Sequence, residues 1–186
     1  SGMLATRISY INDLAVVAEK LGIDIEHVRQ GMAADSRIGA SYLYPSAGFG
    51  GENFSHDIMT LANTVSGTGV KSQLLAQVWE INQQQKELLF RKLWNYFHGD
   101  LNGKTVAIWG AAFKENTSRI QQSPIHVMLN ALWAQGVRVK LHDPQALAEI
   151  EKIYGHREDL IYCTDQYEAV KDSHALCLLT AWKQYW

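Results

Sequence analysis

The chain has 186 residues, 47% of them hydrophobic, and a formal charge of −2 from 17 Lys+Arg against 19 Asp+Glu. That size accommodates one domain or two small ones with a real core, and the charge balance offers no basic surface for nucleic acid. No apolar run approaches the ~20 residues of a membrane span, no leader pattern is visible, and two cysteines, Cys163 and Cys177, furnish neither a disulfide scaffold nor a cysteine-based zinc site, so the expectation is a cytoplasmic protein without a metal.

From Ile8, apolar residues recur at Ile11, Leu14, Ala15, Ala18 and Leu21, the three-and-four spacing of one helical face. Gly22 is expected to stop this helix in the left-handed conformation, and Asp24 to cap a second, short helix presenting Ile25, Val28 and Met32. Residues 35–57 hold Gly39, Pro45, Gly48, Gly50 and Gly51 with neither helical nor strand periodicity. They read as a loop that turns sharply or lies against something. Residues 71–98 contain no glycine or proline, and Leu75, Val78, Asn82, Leu89, Leu93 and Tyr96 fall near one face. A helix roughly 40 Å long is predicted there, flanked by Trp79, Phe90 and Trp94. Burial within the chain and a subunit interface are both compatible with it.

The last part alternates strand and helix. Thr105-Val106-Ala107-Ile108-Trp109 reads as a strand, and Ser123-Pro124 starts a helix that runs to about Gln135 and stops at Gly136. Val137 to Leu141 form the next strand, and Asp143-Pro144 opens another helix. Two further strands follow at Leu160 to Cys163 and Ala175 to Leu179. This β-α-β-α-β-α-β series predicts a parallel sheet covered by helices. The fold class is therefore α/β: an all-helical domain, residues 1–100, followed by a Rossmann-like domain, residues 101–186, with the boundary near 99–103.

The first strand leads into Gly110-Ala111-Ala112-Phe113-Lys114, which lacks the second glycine of a dinucleotide fingerprint. Asp143, after the second strand, occupies the place of a ribose-binding acid but is equally explained as a turn or helix cap. Lys114 lies where anionic ligands dock in such sheets, or is simply a solvated lysine. Cys163 and Cys177 fall inside strands, where a small buried thiol is the ordinary expectation.

Three segments together resemble the UDP-glucose/GDP-mannose dehydrogenase family. They are Ala5-Thr6-Arg7-Ile8-Ser9-Tyr10-Ile11-Asn12-Asp13; Asp35-Ser36-Arg37-Ile38-Gly39 with Tyr44-Pro45-Ser46-Ala47-Gly48-Phe49-Gly50-Gly51; and Trp109-Gly110-Ala111-Ala112-Phe113-Lys114 with Ser123-Pro124 and Asp143-Pro144. The resemblance implies the central helical and carboxyl-terminal domains of an enzyme that uses NAD to oxidise a nucleotide sugar to its uronic acid. It also implies that the NAD-binding domain, together with a catalytic lysine and asparagine, precedes this chain, that the carboxyl-terminal domain stops after four of its strands, and that no cofactor binds this portion alone. The resemblance further makes the helical part a dimerisation domain, forming a homodimer through residues 71–98 and 8–34.

By the same resemblance, Arg37, Tyr42, Tyr44, Gly48, Gly50, Gly51 and Lys114 are nucleotide-sugar ligands, with Arg37 reaching the neighbouring subunit. A guanidinium or ammonium group suits a diphosphate, and a phenol ring can stack on a base or a sugar face. Each also has a plain structural reading: a surface ion pair for Arg37, core packing for the tyrosines, turn geometry for the glycines. The departures fall on the chemistry. The family's nucleophilic cysteine corresponds to Asn53, its lysine to His56, and an arginine near the cofactor to Gln121, whereas the water-activating aspartate is kept as Asp57. The family reaction needs a thiolate to add to the intermediate aldehyde, and a carboxamide is no nucleophile at neutral pH. The expected function is thus the scaffold of a dehydrogenase without its reaction, or a paralogue that binds nucleotide sugar or acts as a dimeric scaffold.

Overall fold

A computed structural model describes residues 1–70 and 72–186. They form two compact units, Ser1–Phe49 with Asn53–Gln85, and Gly50–Glu52 with Lys86–Trp186. No helix of the described residues is long and apolar enough to cross a membrane.

The first unit is helical. Helix α1 (Gly2–Leu21) ends at Gly22, whose φ of 68° lets Ile23 turn back to donate to the Ala18 carbonyl. Helix α2 (Ile25–Ala33) is capped by Asp24, which accepts from the Glu26 amide at 2.9 Å. Helix α3 (Glu52–Gly67) takes the last six residues of the stretch read as a loop. Glycine density ends at Gly51, and Phe54 and Ile58, one turn apart, then supply an apolar edge. That edge packs with Ala5, Phe49 and Val78, and Phe49 meets Phe54 edge-on at 5.1 Å. Helix α4 (Gln73–Tyr96) matches the predicted long helix; of that prediction, residue 71 lies outside the described residues.

The second unit carries a four-stranded parallel sheet in the order β3-β2-β1-β4, with β1 (Thr105–Trp109), β2 (Arg138–His142), β3 (Leu160–Tyr162) and β4 (Ala175–Leu178). The connecting helices are α5 (Pro124–Ala134), α6 (Leu147–Tyr154) and α7 (Gln166–Val170). Ser123 caps α5 ahead of Pro124, as its sequence requires. The two compact units part inside α4, at Gln85/Lys86. Leu89, Phe90 and Leu93 account for that division, because these α4 residues pack in the sheet's own core with Leu101, Val106, Ile108, Met128 and Leu141. Helix α6 starts at Leu147, later than Asp143-Pro144 suggests, and one Asp143 oxygen instead holds the Gln145 and Ala146 amides in the turn ahead of it.

Two histidines set an acid limit on this unit. In α5, His126 Nε2 donates to the Ile120 carbonyl (2.8 Å), so its Nδ1 accepts from the Tyr154 hydroxyl (2.6 Å); His142 Nδ1 pairs with Tyr185 at 2.7 Å. Burial pushes both imidazoles below their usual pKa. A depressed folded pKa means that the contribution is whole above the unfolded value of ~6.5 and is lost as pH falls through the folded one. The melting temperature of the parent is therefore expected to drop between pH 7 and pH 5 more steeply than that of the His126→Gln, His142→Gln double variant, measured by circular dichroism. Parallel curves would contradict it.

Candidate functional site

In the first unit, the glycine-rich loop has almost no backbone partners of its own, and side chains from α1 and α4 supply them. Arg7 donates to the carbonyls of Gly39 (2.8 Å) and Ser41 (2.9 Å). Asn12 accepts from the Ser46 amide at 2.8 Å, and Gln85 donates to the Ser46 carbonyl at 2.8 Å. Asn82 grips Phe49 twice, accepting from its amide (2.7 Å) and donating to its carbonyl (3.0 Å), as a neighbouring β-strand would. Asn12, Asn82 and Gln85 are buried. They satisfy backbone groups that would otherwise be stranded away from water.

This clamp presents the loop's own side chains outward. Tyr42 and Tyr44 are 49% and 57% exposed, which removes core packing as their explanation. Tyr42 sits at φ 58°, a left-handed conformation uncommon for an aromatic residue and a form of local strain that clusters at binding sites. One face of Tyr44 is covered by the Arg29 guanidinium, 4.2 Å from the ring centre. Arg29 is itself forked onto Glu26, and that pairing holds the Glu26 carboxyl down to about 2. Arg37 is 87% exposed and lies in a bidentate pair with Asp35, 2.6 Å at its shortest. In this chain Arg37 thus forms a surface ion pair. Gly48 takes φ 103° in a turn where its amide donates to the Ser46 hydroxyl.

Asn53, His56 and Asp57 all lie on the first turns of α3, and all three are exposed. Asp57 accepts from the Ser1 hydroxyl at 2.6 Å, and the His56 ring is 3.5 Å from the Thr60 hydroxyl. Cys163 and Cys177 are buried against the sheet of the other unit, where desolvation pushes both thiols up, Cys177 to about 12.

In the second unit, Gly50 and Gly51 lie against the segment 113–122. A Cβ on Gly50 would come within 2.5 Å of the Gln122 carbonyl, and one on Gly51 within 2.9 Å of the Phe113 ring. The requirement for glycine here is met by protein contacts, and the Gly51 amide donates to the Gln121 carbonyl at 2.8 Å. Gln121 takes part through its backbone, with its side chain exposed. Gln122 is held at φ 56°, and the Lys86 ammonium, 3% exposed, donates to its carbonyl at 2.8 Å. Desolvation pulls the Lys86 amine down to about 8. Lys114 is exposed, 5.5 Å from the Phe113 ring centre.

Asp143 resolves its two readings in favour of structure. One oxygen accepts from the amides of Gln145 and Ala146 (both 2.8 Å); the other accepts from the amides of Ala111 (2.7 Å) and Ala112 (3.0 Å) and from the Trp182 indole (3.1 Å). The amides that a pyrophosphate would need after β1 are therefore taken. Trp182 and a short 3-10 turn, Lys183–Tyr185, also occupy the carboxyl ends of the strands, with Tyr185 stacked on Trp109 at 4.9 Å. The residues of this sheet do not fit a dinucleotide at its strand ends.

Two family models match, the UDP-glucose/GDP-mannose dehydrogenase family central domain over residues 1–84 and the UDP binding domain of the same family over residues 107–186. The chain belongs to the UDP-glucose/GDP-mannose dehydrogenase family. Within that family, a UDP-glucose 6-dehydrogenase of Pseudomonas aeruginosa is 41% identical over 188 residues, covering 100% of this chain and 42% of the relative. The enzyme TuaD of Bacillus subtilis, also a UDP-glucose 6-dehydrogenase, is 36% identical over 99% of this chain and 39% of its own length. A solved UDP-glucose dehydrogenase from the archaeon Pyrobaculum islandicum superposes with a TM-score of 0.93 at 28% identity, over 98% of this chain and 42% of that one. The chain thus spans about two fifths of the length of these UDP-glucose/GDP-mannose dehydrogenase relatives.

The clamp residues were not singled out as functional by sequence reasoning, although a signal existed. Asn82, Gln85 and Lys86 stand three and four apart on a helix otherwise patterned for burial. Polar groups at core-facing spacing ask for a specific partner.

Proposed function

We propose that this chain is the nucleotide-sugar-binding portion of a UDP-glucose/GDP-mannose dehydrogenase family protein and that by itself it catalyses no oxidation. The observation that carries this is Asn53: the position of the family's nucleophile is an exposed carboxamide, and both thiols of the chain are buried and hard to ionise. The resemblance assigns ligand contacts to Arg37, Tyr42, Tyr44 and Gly48 in the helical unit and to Gly50, Gly51 and Lys114 in the sheet unit. The exposure of both tyrosines and of Lys114 supports that assignment. The family's NAD would be held elsewhere than at the sheet of this chain, whose strand ends are filled. His56, Asp57 and Gln121 complete no reactive group in the absence of a thiol.

Calorimetric titration with UDP-glucose is expected to give saturable binding that Arg37→Ala weakens, with no NADH formed when NAD is added. Turnover near ~1 per second, an ordinary enzyme rate, would overturn the inactivity, and no binding at millimolar ligand would overturn the ligand.

A dimeric scaffold is a second reading with its own support. Met3, Tyr10, Val17 and Leu21 of α1 are 74%, 52%, 49% and 67% exposed and recur at seven- and four-residue steps, a single apolar stripe facing solvent. We infer a homodimer that buries this stripe together with parts of α4. Light scattering is expected to give twice the 20.9 kDa of one chain, and Leu21→Glu with Val17→Glu to return the monomer. A monomeric parent at ~0.1 mM, well above the Kd of a stable interface, would refute it.

A further inference from the structure

Lys86 is a buried charged side chain beside the segment 113–122, and apolar packing does not explain its presence. It lies three and seven residues before Leu89 and Leu93, on the side of α4 that serves the sheet core, where a leucine or methionine would fill the space without desolvating a charge. Among the described residues no carboxylate is paired with it. The titratable group facing it is His126 of α5, which bonds onward to Tyr154 of α6. Its hydrogen bond goes to the Gln122 carbonyl, at the point where the backbone takes φ 56°. That segment is closed at its neck by the Phe113 amide donating to the Arg119 carbonyl at 2.9 Å, with Lys114 on the span between and Gln121 just beyond it.

We propose that Lys86 is a positioning residue for nucleotide-sugar binding: its ammonium fixes the Gln122 carbonyl, and through it the course of the segment that presents Lys114. The inference rests on the ligand reading above, and it touches no reacting atom. A charged donor holds a carbonyl more firmly than a neutral one. An amine that loses its proton near pH 8 therefore loosens its grip within a measurable range. Arginine at the same place stays charged throughout.

The test uses the whole chain as Lys86→Met and Lys86→Arg, with two readouts. Amide hydrogen exchange of the peptide covering 113–123, without ligand at pH 7, is expected to quicken at least tenfold in Lys86→Met and to stay near the parent in Lys86→Arg. UDP-glucose titrations are expected to weaken at least tenfold in Lys86→Met at pH 7. Between pH 7 and 9 the parent is expected to lose affinity relative to Lys86→Arg, the uracil's own ionisation being common to both. Unchanged exchange in Lys86→Met overturns the assignment whatever the ligand does. Coincident pH profiles for parent and Lys86→Arg overturn it as well, since a purely packing role would give them. Absence of UDP-glucose binding by the parent overturns the ligand reading, and Lys86's part in it, while quickened exchange in that case would leave Lys86 as a backbone latch alone.

Discussion

Asp143→Ala is expected to lower the melting temperature of the sheet-bearing unit by about 15–30 °C, or to prevent it from folding. The carboxylate receives five donors, and Ala111, Ala112, Ala146 and Trp182 are all buried, so their N–H groups would have no water to turn to. Each stranded donor costs about 1–3 kcal/mol, so even the low end across these four reaches about 4 kcal/mol. For a domain of this unit's size each kcal/mol moves the midpoint by about 4–8 °C. Asp143→Asn is the informative companion. Its amide keeps the shape but offers one oxygen and one NH2, so it can serve the Gln145/Ala146 side or the Ala111/Ala112/Trp182 side and must face donors with a donor on the other. It is expected to recover less than half of the loss. Calorimetric melts of the three proteins measure this, and a shift below about 5 °C for Asp143→Ala would show that the loop after β1 does not depend on the carboxylate.

Asn82→Ala is expected to destabilise the helical unit by about 3 kcal/mol and to free the loop it holds. The substitution orphans both the amide and the carbonyl of Phe49, which is 6% exposed, and opens a gap beside them. Asn82→Asp, nearly identical in shape, is expected to do no better, because a carboxylate accepts from the Phe49 amide but repels the Phe49 carbonyl. Proteolysis within 39–51 is the direct readout: cleavage there should appear in both variants under conditions where the parent loop resists. Resistance in all three would mean that Arg7, Asn12 and Gln85 hold the loop unaided.

The elements with strong local chemistry were legible in the residues alone. Gly22, Asp24 and Ser123-Pro124 each announce a helix end whose hydrogen bonds are then found in place. The strands were read to within a residue because their apolar runs are short and flanked by turns. What could not be read is what depends on partners distant in the chain. The start of α3 was hidden because its first turn follows three loop glycines in quick succession, and its apolar edge only has meaning against Ala5 and Val78. The role of Asp143 needed Trp182, 39 positions later, to be visible. Asn82 was read as one more residue on an apolar face, since a polar side chain that replaces a β-strand cannot be told from a solvated one without the loop beside it. The residues assigned to the ligand came from family resemblance, with geometry adding exposure for Tyr42, Tyr44 and Lys114 and an intramolecular explanation for Gly50 and Gly51.

Arg7, Asn12, Asn82 and Gln85 touch the loop only at main-chain atoms. Whatever side chains the loop carries, the same four grips remain available, so shape and reactivity are written in different places along the chain. Side chains along the loop can therefore change one substitution at a time while the mould survives intact. Read in the other direction, the same separation leaves the loop's exposed side chains, Tyr42 and Tyr44 among them, open to exchange without moving the backbone that displays them.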